Sequence, residues 1–308
     1  MCAKPRYRID DFAVMVHPRD GHHKIFAMID AYLDESGIHG GAAVCMIAGY
    51  FGGRSQLRKL EIEWLRVLKK FNFPLQDFHA KDLLKQRKHE PMLLALSQAI
   101  AEQRKVHPVS LGIVVEHFNL FPIELRRWMT GGRVNRNTHK WIDSGCPSKP
   151  YFCPFVRCLQ IVTDCAPVGG KAHFFFGLDR SFSDYATQLF KQIKEQINKG
   201  IYGSEWTSKG RLGEPSFPLA AETPQLQAAD LFVHLNYQRA LQNYAADQEG
   251  DWMNVPVSEM LANCLHNSLH TDHHSIQNKK TAMVDIAKAK VEQRKAIEAL
   301  SRQPDSTA

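Results

Sequence analysis

The chain has 308 residues, 44% of them hydrophobic and 23% charged, an ordinary balance for a globular protein able to bury a full core as one large domain with insertions. No window reaches the ~18 continuous apolar residues of a membrane span, and seven cysteines without a C-x-x-C pair argue against a disulfide scaffold and for a reducing cytoplasm. A formal charge of +7 tilts the choice of partner towards an anion such as nucleic acid.

Residues 1–24 read as a polar extension without a signal-peptide core. "KIFAMIDAYLDESG" then reads as a strand, and a turn through Gly37, Gly40 and Gly41 leads into a second apolar run, Ala42 to Phe51, that can pair with it as an antiparallel hairpin. The next stretch places Leu57, Leu60, Trp64, Leu65 and Leu68 at helical spacing. "PMLLALSQAIAEQ" is another helix, and Val109 to Phe118 has the β-branched content of a third strand. Ile123 to Pro150, broken by Gly and Pro and rich in arginine, reads as a loop or insertion. "FVRCLQIVTDCA" predicts a helix, "KAHFFFGLD" a strand ending on Asp179, and "SDYATQLFKQIKEQINKG" an amphipathic helix closed by Gly200. "SFPLAAETPQLQAADLFV" predicts a short strand and then a helix starting near Pro224. The main body thus spans 25–285 with a basic insertion around 123–150, and 286–308 form a basic helix and tail.

An antiparallel meander followed by β-α-β steps gives an α/β fold, a mixed five-stranded sheet flanked by helices. Five strands in this order suit a ribonuclease H-like fold, although periodicity alone does not single it out.

Three carboxylates occupy matching places. Asp34 ends the first strand, Asp179 ends the Phe-rich strand, and Asp230 lies early in the helix after the last strand. If the first two strands are neighbours, all three converge at one sheet edge, where like charges repel unless a cation neutralises them. Mg²⁺ or Mn²⁺ suits such oxygen ligands, and a pair of such ions about 3.5–4 Å apart can drive phosphodiester hydrolysis. Each residue also has a plainer reading. Asp34 is a turn residue, and Asp179 is a helix cap or a partner of Arg180. Asp230, set among apolar neighbours, is the hardest to explain without a partner or a metal.

"YLDESG", "DFHAKDLL", "FGLDRS" and "LQAADLFV", in that order over residues 25 to 245, resemble the family called domain of unknown function 3800. Its members are read as ribonuclease H-like, metal-dependent nucleases. The resemblance implies a metal-binding core of Asp34, Asp179 and Asp230, with Glu35 as auxiliary ligand. It places His79 near the site as proton shuttle or phosphate contact, Lys81 as a charge facing the scissile phosphate, and Gln227 as the group orienting Asp230 or a ligand water. Strand alternation points Glu35 away from Asp34, so only a distorted strand end lets it join. The arginine-rich segment and the N-terminal extension lie outside the family pattern.

Weaker signals remain. Arg126, Arg127, Arg133, Arg136 and Lys140, interleaved with Trp128, His139 and Trp141, suit a nucleic-acid surface, or equally a solvated loop whose tryptophans pack on the domain. Cys264, His266, His270, His273 and His274 lack the spacing that completes a zinc site. Cys158 and Cys165 fit core thiols, and nothing marks a cysteine or serine nucleophile. The expectation is a cytoplasmic, Mg²⁺- or Mn²⁺-dependent nuclease acting on DNA or RNA. The alternatives are a nucleic-acid-binding protein that keeps the fold but does not cut, and a metal-dependent phosphohydrolase of small substrates. Oligomeric state is left open.

Overall fold

The apolar runs on either side of the glycine turn do pair, as the first step of a larger sheet. The computed structural model describes residues 28–38, 41–134, 138, 140–167, 169–177, 180–198 and 210–246. The N-terminal extension, Asp179, the Cys264–His274 cluster and the C-terminal helix expected from sequence lie outside these residues.

Strands β1 (Met28–Ser36) and β2 (Val44–Gly53) are antiparallel, with Asp34 opposite Ala48. Gly37 makes the turn possible: its φ is +72°, and a Cβ there would lie 2.0 Å from the Val44 carbonyl oxygen. Helices α1 (Arg54–Lys70), α2 (Ala80–Leu83) and α3 (Glu90–Ala101) lead to β3 (Val106–Val114), which pairs antiparallel with β2. Short helices α4 (Val115–Leu120) and α5 (Ile123–Met129) follow, then a small hairpin of β4 (Arg133–Val134) and β5 (Trp141–Asp143). Helix α6 (Phe152–Cys165) precedes β6 (Lys171–Phe176), α7 (Arg180–Asn198), β7 (Leu212–Ser216) and α8 (Pro224–Ala246). The sheet order is β3-β2-β1-β6-β7, with β1, β6 and β7 mutually parallel. The predicted meander followed by β-α-β steps is what forms.

Alternation along β1 sends Ala31 and Leu33 into a core with α6 and α7, built around Phe155, Leu159, Phe174, Phe176 and Phe190. The other face, which carries Asp30, Tyr32 and Asp34, packs under α1, α3 and α8 through Leu57, Trp64, Leu96, Leu231 and Phe232. Strand β2 is buried on both faces, which explains its unbroken apolar sequence. In α1, Val67 takes the buried position that spacing assigned to Leu65, which is 39% exposed at the edge of the apolar stripe.

Three boundaries differ from expectation. The third strand ends at Val114, and Val115 to Leu120 turn into a helix that buries Phe118. The last strand spans Leu212 to Ser216 and ends on the first residue of the stretch predicted to carry it. The segment from Ile123 contains a helix and a hairpin in place of an open loop. Cys158 is a core thiol, but Cys165 is exposed.

Candidate metal centre

Asp34 stands at the end of β1 beside the end of β6. Leu33 is opposite Phe176, and the Gly177 amide donates to the Leu33 carbonyl at 3.2 Å. A Cβ on Gly177 would come within 2.5 Å of Asp34 Oδ1, so only glycine leaves this carboxylate its place. The strand pairing on which convergence depended is therefore present. Asp179, two residues past Gly177, lies outside the described residues.

Asp230 arrives from the opposite side. Helix α8 is buried all round from Pro224 to Leu235, because it runs between the sheet and helices α1 and α2. Asp230 escapes isolation through Ala80, whose backbone N–H donates to Oδ2 at 2.8 Å, with His79 Nδ1 at 3.4 Å from the same oxygen. A carboxylate at the first amide of α2 is a stabilising pairing in its own right. The plainer alternative for Asp230, a buried acid satisfied by protein donors, is thus partly realised. The same contacts bring the "FHA" motif to the site.

The electrostatics show how closely the acids meet. Burial, then the charges of Glu35 and Asp230, hold the Asp34 carboxyl well above the usual carboxylate range. Glu35 shares a side-chain hydrogen bond with Asp34 at the strand end, so alternation does not keep it away. The charge of Glu35 is also felt by Tyr151 and Cys45 beneath the sheet, each pushed up mainly by burial. The hydrogen bond to Asp230 raises the pKa of His79, which remains largely exposed at the rim. Lys81 is exposed on α2, and its charge opposes protonation of His79.

Two residues reach this site without having been expected there. His234, one turn beyond Asp230, is buried; burial lowers its pKa while Asp230 acts against that. Its i, i+4 spacing from Asp230 was the available signal. Gly177 carried no signal, since its role arises from a strand pairing 140 positions apart.

Other assignments change. Gln227 does not orient Asp230. Its amide oxygen accepts from Trp64 Nε1 at 3.0 Å, and its nitrogen donates to the carbonyls of Leu75 (2.7 Å) and Ala220 (3.2 Å). It ties α8 to α1 and to the turns at 75–77 and 220–222. Arg126 and Arg127, expected on a nucleic-acid surface, are half-buried and hold protein partners. Arg126 donates to the Pro147 carbonyl at 3.3 Å and lies 6.0 Å over the Phe118 ring; Arg127 lies 5.6 Å over Trp141. Lys140 is exposed. Arg133 pairs through its backbone with Asp143, and Arg136 lies outside the described residues.

Among the described residues no group of three or more His, Cys, Asp and Glu side chains is arranged to hold a metal ion. Asp34 and Asp230, whose charges act on one another, are carboxylates, the kind of donor that hard divalent ions take. In kind they fit Mg²⁺ or Mn²⁺, and the expected third ligand is Asp179. No described helix is long and apolar enough to cross a membrane.

No family model matches the chain, and no curated protein matches it. A chain in a structure titled as the PCNA:RNase HII complex from Archaeoglobus fulgidus is similar at 12% identity, over 84% of this chain and 90% of that chain, with a TM-score of 0.37.

Proposed function

We propose that this chain is a ribonuclease H-like nuclease that hydrolyses phosphodiester bonds of DNA or RNA, with Mg²⁺ or Mn²⁺ held by Asp34, Asp179 and Asp230. The observation that carries this reading is the meeting of Asp34 and Asp230, from β1 and α8, closely enough that Asp230 raises the Asp34 pKa. A sheet of three antiparallel strands extended by two parallel ones supports the ribonuclease H-like assignment, and the motif likeness to domain of unknown function 3800 agrees with it.

A bound divalent ion supplies an activated water and neutralises phosphate charge. The chain's own residues do the rest. Asp34 and Asp230 bind, with the Ala80 amide fixing one oxygen of Asp230. His79, whose proton is favoured by Asp230 and which faces solvent, is placed to hand a proton to a leaving oxygen. Lys81 offers positive charge to the phosphate beside it.

Cleavage of mixed DNA and RNA in Mn²⁺ is expected for the wild type and lost in Asp34→Asn; equal activity in the two proteins removes the assignment. The Ala80–Asp230 hydrogen bond favours one second reading, a nucleic-acid-binding protein in which Asp230 is purely structural. That protein binds in a salt-sensitive manner, cuts nothing, and is indifferent to Asp34→Asn.

A further inference from the structure

The sheet face that carries Asp34 holds a second polar group near the start of β1. Asp30 is 3% exposed; its Oδ2 accepts from Arg54 Nε at 3.1 Å, while its Oδ1 is buried and has no hydrogen-bond partner. A cavity of about 250 Å³ lies there, lined by Asp30, Tyr32, Arg54, Arg58, Phe175 and Gln225 among others. Tyr32 and Phe175 form its aromatic wall, stacked with centroids 4.5 Å apart and planes 9° from parallel. Gln225 already donates to Glu61 at 3.0 Å, which leaves the Asp30 oxygen as the unsatisfied acceptor of the lining.

Each feature selects part of a ligand. A buried acceptor without a donor is costly, and a ligand NH2 relieves that cost, whereas the N3–H of thymine or uracil is flanked by two carbonyl oxygens that a carboxylate repels. An aromatic wall takes a planar ring. Two guanidinium groups at the rim suit a phosphate. The volume is below the ~300 Å³ at which drug-sized pockets begin, which limits the occupant to about one base with its sugar. We propose that this cavity is a base-selective subsite for a single-stranded stretch of nucleic acid, preferring a base with an exocyclic amino group, such as cytosine or adenine, over thymine or uracil.

The spacing suits the strand that the carboxylates would cut, and in that respect the inference rests on the nuclease reading. Asp30 and Asp34 are four residues apart on one strand, about 13 Å at ~3.3 Å per residue. Gln225 and Asp230 mark the same two ends on α8, which packs over β1 and β2. Tyr32 lies between the two aspartates on that face and lines the cavity with Phe175 of β6. At about 3.4 Å per stacked nucleotide the base in the cavity sits roughly four positions from the scissile bond.

The test is fluorescence anisotropy of short labelled oligo(dC) and oligo(dT) at neutral pH in EDTA, using full-length Asp34→Asn protein so that nothing is cut. Oligo(dC) is expected to bind about tenfold more tightly, the worth of one hydrogen bond to a charged group. Asp30→Asn, which replaces a carboxylate oxygen by an NH2, levels that preference. Phe175→Leu weakens both oligonucleotides by about tenfold or more through lost stacking. Equal binding of oligo(dC) and oligo(dT) overturns the subsite. If thermal melting shows that Asp30→Asn does not fold, the dC-to-dT ratio and Phe175→Leu decide. A dC preference in a protein that never cleaves removes the nuclease and keeps the subsite; cleavage without preference does the reverse.

Discussion

Gly177→Ala probes the candidate centre without removing any of its charges. The added methyl would sit 2.5 Å from Asp34 Oδ1, whereas ordinary contacts begin near 3.4 Å, so one group must yield by about 1 Å. The φ of Gly177 lies outside the region that only glycine tolerates, so the backbone accepts alanine and the strain falls on the contact. The Leu33 carbonyl that Gly177 holds restrains the strand end, and the carboxylate is the freer partner. Overpacking of this kind costs about 1–3 kcal/mol, but displacing a ligand by 1 Å costs on the order of a hundredfold in rate. The assay is Mn²⁺-dependent cleavage under single-turnover conditions, with thermal melting on the same sample. The expected result is a small fall in Tm with about a hundredfold fall in rate. Cleavage at the wild-type rate by folded Gly177→Ala would refute the placement of Asp34 against Gly177 as functionally important.

Four further outcomes are expected. Asp34 has a raised pKa in the folded chain, so its contribution to stability is present below the unfolded carboxylate value and is lost as pH rises through the folded one. In EDTA the wild-type stability therefore falls with pH by up to about 1.4 kcal/mol per unit, roughly 2–4 °C in Tm; Asp34→Asn flattens this slope, and Mn²⁺ lifts the wild type alone. Asp230→Asn retains an acceptor for the Ala80 amide but not the charge, so Tm is kept while the His79 pKa, followed by NMR, falls towards its ordinary value; an unchanged His79 titration contradicts the pairing. Gln227→Leu strands Trp64 Nε1 and two carbonyls, costing about 1–3 kcal/mol for each group left buried. A loss of Mn²⁺ affinity at unchanged Tm would return Gln227 to the metal site. Arg127→Ala loses about 0.5–2 kcal/mol of cation–π contact with Trp141 and leaves the salt dependence of nucleic-acid binding unchanged, whereas a slope reduced by about one charge would make it a phosphate contact.

What the sequence carried well was local. The β1–β2 pair follows from two apolar runs and a glycine turn, α1 from its stripe, and the start of α8 from Pro224. The end of β3 differs because Val115 to Phe118 have strand propensity, yet these residues form a helical turn that buries Phe118 under Arg126. Strand β7 includes Pro215, which argues against a strand in one dimension but is tolerated where few ladder bonds are needed. Asp34 and Asp230 were legible as a strand-end acid and as an acid on an apolar helix. The partners of Gln227 were not, because Trp64 and Leu75 lie about 150 positions away. Arg126 and Arg127 were read for their charge, although the neighbouring aromatic rings already offered them packing partners. Asp30 carries a signal of its own, since its even spacing from Asp34 places both on one face.

Asp230 explains why two motifs 150 residues apart belong to one site. An acid buried in α8 needs a donor, and the nearest are the amide and imidazole that begin α2. The bond to Ala80 occupies one oxygen and fixes the side chain, and it also ties the start of α2 to α8, which brings His79 and Lys81 to the rim. Among the described residues no side-chain or backbone donor is bonded to the second oxygen, where it would compete with a cation. Asp34, whose charge is disfavoured by burial and by both acidic neighbours, is the group that gains most when a cation arrives. In the function proposed above, structural and metal-binding duties do not compete in Asp230: the bond to Ala80 holds the carboxylate where a cation would be bound.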